Sequence, residues 1–207
     1  AFLLLACLSY GQSLFTAPAV AQAAQLRDVV ISEIAWAGSG DSSSDEWIEL
    51  YNNTSQAINL TSWAIDDHNG AQTYPLQGTI AAHSYFLLES REIATSVVGD
   101  MIKSTSLSNS GDSLVLKDAS QNVVDTVNSA NAAWFAGSNT THATMERINL
   151  QSDGDQASNW HSGAGIATAT SSNGGTIVGS PKAANTGTAS TPVTTTTISS
   201  TISPSIV

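Results

Sequence analysis

Asp45-Glu46-Trp47-Ile48-Glu49-Leu50-Tyr51-Asn52 alternates strictly between its two faces. In an extended chain Trp47, Glu49 and Tyr51 fall on one side, and Ile48 and Leu50 on the other. The Asn52-Asn53-Thr54 that follows is a turn. A second strand, Val29-Val30-Ile31-Ser32-Glu33-Ile34-Ala35-Trp36, lies just upstream. Unbroken alternation there puts Glu33 on the face of Ile31 and Ala35.

Working outward, short apolar runs recur between turn residues. Trp63-Ala64-Ile65-Asp66 precedes Asp67-His68-Asn69-Gly70, which carries an Asn-Gly hairpin signal. Tyr85-Phe86-Leu87-Leu88 is a fully apolar strand. Ser110-Gly111-Asp112 opens Ser113-Leu114-Val115-Leu116-Lys117, and Asp118 to Asn122 turns into Val123-Val124-Asp125-Thr126-Val127. Short strands at this spacing indicate an all-β antiparallel sandwich or barrel. The segment from Ser90 to Val98 forms one short helical turn at most.

The order of these units resembles the lamin-tail domain, chiefly in its bacterial form. An Ile-x-Glu-Ile-x-Trp entry is met by Ile31 to Trp36, and the Asp-Glu-Trp-Ile-Glu-Leu-Tyr-Asn unit by Asp45 to Asn52. Leu60-Thr61-Ser62-Trp63, Tyr85 to Leu88, Leu107 to Leu116 and Val123 to Val127 follow. Trp134-Phe135-Ala136-Gly137, Met145-Glu146-Arg147 and Asn159-Trp160 come next, over about Asp28 to Gly163. Ser180-Pro181-Lys182-Ala183-Ala184-Asn185 matches the exit segment in a degraded form. The resemblance implies an immunoglobulin-like β-sandwich found in exported proteins, sometimes beside nuclease or other hydrolase domains. Animal lamins use the fold for protein and DNA contacts.

Composition divides the chain. It has 207 residues, 6 Lys and Arg, 17 Asp and Glu, and a net charge of -11. The first charged residue is Arg27, and beyond Asp155 only Lys182 is charged. Residues 25–163 therefore read as the folded domain. The basic residues are scattered, which argues against a nucleic-acid surface built on clustered Lys and Arg.

Residues 1–24 read as a secretory signal whose start precedes Ala1, with Ala19-Val20-Ala21 and Ala21-Gln22-Ala23 as cleavage sites. A competing lipobox, Leu4-Leu5-Ala6-Cys7, would leave Cys7 acylated. The apolar run continues through Phe15, which favours ordinary cleavage. Cys7 is the only cysteine, so the processed chain would have no disulfide. Residues 164–207 are rich in Ala, Gly, Ser and Thr and read as a disordered extracellular linker. The expected location is secreted or cell-surface.

Several constellations bear on chemistry. Asp41, Asp45 and Glu46 crowd one loop and are the calcium candidates, although their spacing matches no EF-hand. Ser152-Asp153-Gly154-Asp155 reads as an Asp-Gly turn. His68, His83, His142 and His161 are too far apart in sequence for a zinc pair. No Gly-x-Ser-x-Gly elbow is present, so no catalytic residue is assigned. Glu33 and Glu49 sit on strands, and Arg147 is the expected partner for a buried one. The five tryptophans read as core rather than as an exposed carbohydrate platform. Asn52, Asn53, Asn59 and Asn139 head glycosylation sequons.

The expected function is a non-catalytic module for adhesion, scaffolding or display of a neighbouring domain. The partner would be a protein or a surface polysaccharide, with no cofactor unless calcium. The alternatives are an accessory domain of an extracellular hydrolase and a carbohydrate- or calcium-dependent binding module.

Overall fold

The computed structural model describes residues 24–67, 72–164 and 169–187. The strands among them are β1 (Val29–Ala35), β2 (Trp47–Asn52), β3 (Ile58–Asn59), β4 (Ala64–Asp67), β5 (Thr73–Pro75), β6 (Thr79–Ile80) and β7 (Tyr85–Glu89). They continue as β8 (Met101–Ile102), β9 (Leu114–Lys117), β10 (Val123–Val127), β11 (Met145–Arg147), β12 (Trp160–Ser162), β13 (Ala169–Thr170) and β14 (Thr176–Ile177). The one helical element among the described residues is the single 3-10 turn Ala157–Asn159. Residues 1–23 of the expected secretory signal (including Cys7), the His68-Asn69-Gly70 turn and the Thr194 to Thr197 run lie outside the described residues.

Two sheets pack face to face. A six-stranded sheet runs β12-β11-β1-β2-β7-β8, and a four-stranded sheet runs β10-β9-β4-β5. Among the named strands of these two sheets, every pairing is antiparallel except β7 with β8. Apolar residues from alternate positions meet between them: Ile31, Ile34, Ile48, Leu50, Phe86 and Met145 from one sheet, Ile65, Tyr74, Leu114, Leu116 and Val124 from the other. This is the expected immunoglobulin-like sandwich. Asp66 pairs with Thr73, and the Asp67 amide donates to Gln72 O at 3.0 Å, so β4 and β5 form the expected hairpin.

One irregularity positions everything that follows. The β1–β2 register shifts between Ile31 and Glu33. A bulge inserts one residue and reverses the faces beyond it. Ile31 and Ile34 both point into the core, while Glu33 and Ala35 point to the outer face. Glu33 does not share a face with Ile31, because the alternation is broken at Ser32.

The bulge also frees Ile31's backbone, and Asp125 and Arg147 take it up. The Ile31 amide donates to Asp125 Oδ2 at 2.9 Å, and Arg147 Nη1 donates to Ile31 O at 3.0 Å. Arg147 and Asp125 form a two-armed ion pair of 2.6 and 3.1 Å between the sheets. Arg147 lies under the Trp160 ring, 5.6 Å from its centroid. Gly154 lets the backbone close over it, since a Cβ there would sit 2.3 Å from Thr126 O. Arg147 thus pairs with Asp125 and not with Glu33 or Glu49.

The domain does not stop at Gly163. Ile177 is fully buried and packs with Ala35, Trp47 and Leu87 on the outer face of the six-stranded sheet. Ser180 and Asn185 are buried as well. Asn185 Nδ2 donates to Ser32 O and Arg147 O, both at 2.9 Å. Composition assigns residues 164–207 to a linker because they carry almost no charge and little apolar bulk, yet 169–187 pack on the domain. Apart from Ile177 they are held by hydrogen bonds, which composition does not register.

Candidate functional site

The outer face of the six-stranded sheet holds an unusual row. Glu33 lies opposite Glu146 on β11 and opposite Glu49 on β2. His161 on β12 lies opposite Glu146, and Leu87 on β7 lies opposite Glu49. The row therefore reads His161, Glu146, Glu33, Glu49, Leu87 across five neighbouring strands. The three glutamates have no solvent exposure. Like charges directly opposite one another destabilise a sheet, so this row needs compensation.

The compensation comes from the chain's own C-terminal segment. Residues Gly179 to Thr186, here termed the strap, cross the row and donate to it. Glu33 Oε1 accepts from Thr144 Oγ1 at 2.6 Å and from the Ser180 amide at 2.9 Å. Glu49 accepts from Ser32 Oγ at 2.9 Å and from the Lys182 amide at 2.5 Å. Glu146 Oε2 accepts from the Thr186 amide at 2.7 Å and from Thr186 Oγ1 at 2.6 Å. Gly179 permits the approach, because a Cβ there would stand 2.5 Å from Glu33 Oε1.

Burial dominates the electrostatics. It pushes the Glu33 carboxyl up to about 8, with Glu146 adding to the shift. Burial and then Glu33 push Glu49 up as well. Two further acids, Glu46 and Glu89, are raised by burial. Burial pushes Asp125 up, and Arg147 offsets part of that.

The calcium candidates do not converge. Asp41 accepts from Ser171 Oγ at 2.6 Å and the Gly175 amide at 2.7 Å. Asp45 is buried against Arg91 (2.5 Å) and also accepts from Ser39 Oγ. Glu46 turns to Thr105 Oγ1 and the Leu107 amide. Each carboxylate is committed to a different neighbour. Among the described residues no group of three His, Cys, Asp or Glu side chains is placed to share a metal. Asp155 likewise closes a turn, accepting from Thr126 Oγ1 and the Ser129 amide.

The tryptophans are largely internal. Trp36, Trp47, Trp63 and Trp160 are buried, and Trp134 is half-buried and stacked on Trp36 with centroids 6.3 Å apart. Trp47 sits on the outer face beside Ile177 rather than between the sheets. Of the sequon asparagines, Asn52 is buried, donating to Gln56 O at 2.7 Å and Ala81 O at 3.0 Å. Asn53 donates to Arg27 O and Leu150 O, while Asn59 and Asn139 are exposed.

A cleft of about 400 Å³ opens at the β8 edge, lined by Glu89, Ile93, Thr95, Val98 and Ile102. A more polar one of about 290 Å³ lies by Glu46, Thr105 and Asn109. Neither holds a histidine or a serine activated by one. His83 is exposed, and His142 and His161 are partly covered. His161 Nε2 faces Glu146 Oε2 at 3.4 Å.

Glu33, Glu49 and Arg147 were legible as interesting. Glu146, Asp125, Thr144, Ser180 and Thr186 were not assigned roles. An acid at the centre of Val-Val-Asp-x-Val was the available sign for Asp125.

The lamin tail domain family model matches residues 22–131, which span β1 to β10. No curated protein matches the chain. The strands β11 and β12 and the strap complete the same sandwich beyond the matched region. This chain belongs to the lamin tail domain family.

Proposed function

We propose that this chain is an exported, non-catalytic sandwich module that scaffolds or displays what is attached to it. One observation carries the reading. The most chemically loaded part of the molecule, the glutamate row, is sealed under the strap and hydrogen-bonded internally. Those carboxylates grip the chain instead of facing a substrate, so the domain fixes where the polypeptide leaves it. A module of this kind sets the direction of a neighbouring segment. Where that neighbour is a hydrolase, the module serves as its accessory domain.

The net charge of -11 supports a protein or polysaccharide partner rather than nucleic acid. Four buried tryptophans count against a flat aromatic sugar platform. The test is to assay the purified full chain for nuclease and phosphatase turnover and for duplex binding, with calcium and with chelator. No turnover and no tight binding are expected. Metal-dependent turnover that persists through further purification would overturn the reading. Protease shaving of intact host cells tests the location, and full protection of the chain would sink the surface assignment.

A further inference from the structure

The closed strap presents a proton-counting problem. Ser180 Oγ has one proton. It stands 3.0 Å from Glu33 Oε2, 3.3 Å from Glu146 Oε1 and 3.4 Å from Asn185 Oδ1. One hydroxyl proton cannot serve two carboxylate oxygens. The second contact becomes a hydrogen bond only if a carboxyl supplies the proton. Thr144 Oγ1 repeats the shortage, facing Glu33 Oε1 at 2.6 Å and Val178 O at 3.2 Å.

No lysine or arginine inside the row removes the need. Lys182, the strap's charged residue, sends its ammonium to Asp100 at 2.8 Å and only its amide to Glu49. Arg147 is spent on Asp125 across the opposite face.

We propose that the strap Gly179 to Thr186 is a pH-operated latch over the Glu146–Glu33–Glu49 row, closed while Glu33 and Glu49 hold protons and released as these two ionise. The groups that face the row are His161 from β12, Glu146 from β11, Glu33 from β1 and Glu49 from β2. Tyr85 from β7 stands beside Glu49. Lys182 comes from the strap, and Asp100 from the segment before β8.

The direction follows from linkage. Closure holds Glu33 at about 8, by burial first and Glu146 second, against an ordinary value of 4.5. Release hydrates the carboxyls and returns them toward that ordinary value. The closed form therefore holds more protons between these two limits, and rising pH favours release across that window. For one proton the opening constant rises at most about tenfold per pH unit.

The experiment is hydrogen exchange on the full chain from about pH 5 to about pH 9, with each rate divided by its intrinsic value at that pH. Protection of the Ser180, Lys182 and Thr186 amides should fall by up to about tenfold per pH unit below pH 8, while β2 and β9 stay protected. Glu33→Gln, and separately Glu49→Gln, should flatten the slope. A flat wild-type profile overturns the latch, whether or not either variant folds. Parallel loss in β2 and β9 overturns it too, since that is global unfolding. A slope that survives Glu33→Gln but vanishes in His161→Gln would assign the effect to the imidazole and also overturn it.

Discussion

Arg147→Met isolates the pin between the sheets. Arg147 and Asp125 are essentially buried, and their two hydrogen bonds measure 2.6 and 3.1 Å. Methionine fills much of the volume and keeps contact with Trp160, so the loss is mainly of charge and donors. Three acceptors then lose partners: Asp125, Ile31 O and Ser152 O. Removing one member of a buried pair costs about 3–5 kcal/mol, a large part of the roughly 5–15 kcal/mol that holds a domain folded. Urea denaturation should show the midpoint falling with the slope unchanged. The cost should also depend on pH. Without Arg147 the buried Asp125 must take a proton to stay inside, so its folded value rises further. The variant is then least destabilised in acid, and loses stability as pH climbs above the ordinary carboxylate range. Adding Asp125→Asn supplies a neutral group that still accepts from the Ile31 amide, and should recover part of the loss and abolish this pH dependence. A cost under about 1 kcal/mol for Arg147→Met, or a pH-independent cost, would refute the pin.

Trp47→Ala should cost about 3–5 kcal/mol by opening a cavity under Ile177; unchanged stability in thermal melts would contradict its burial. Gly179→Ala should raise exchange in the strap with little effect between the sheets, because its Cβ would meet Glu33 Oε1 and Thr144 Cγ2 at 2.5 and 2.6 Å; a strap as protected as in the parent chain would count against the contact. Limited proteolysis should leave a protected fragment that includes residues 176–186, and a stable product ending at Gly163 would show that those residues do not hold. Intact-mass analysis of secreted protein should find an N-terminus between Gln22 and Gln25, whereas a lipid-modified species starting at Cys7 would contradict ordinary cleavage.

The sequence carried the sandwich because its strands set aliphatic core residues on one face, as Ile48 and Leu50 between Trp47, Glu49 and Tyr51 do without a break. It carried the interest of Glu33 and Arg147 but paired them wrongly, and the reason is local. Val29 to Ala35 reads as uninterrupted alternation, and only Ser32, a small polar residue in an apolar run, hints that one residue is extra. That single bulge moves Glu33 to the opposite face and offers Ile31's backbone to Asp125 and Arg147. The row itself was out of reach for another reason. Glu33 and its donor Thr144 lie 111 residues apart, and nothing in either segment encodes their register. The resemblance marks Ser180 to Asn185 as an exit segment, but its grip on the row is not legible, because Gly, Ser, Pro and Thr give a composition argument nothing to weigh.

Row and strap explain each other physically. A segment such as Gly179 to Thr186 has almost no apolar surface, so burial cannot draw it onto the sheet. It does have amides and hydroxyls, and these go where acceptors are concentrated. Three carboxyls side by side, two of them raised by burial, are an expensive arrangement on a bare sheet. Under a strap that donates through Ser180, Lys182 and Thr186 they become its anchorage. Valines at those three positions would relieve the sheet of its like charges, and would leave the strap only the acceptors of Asn185 and of the Lys182 ammonium. The acids are thus tolerable only with the strap in place, and the strap is held largely through the acids. That mutual dependence makes the outer face sensitive to proton supply, while the apolar core between the sheets is not.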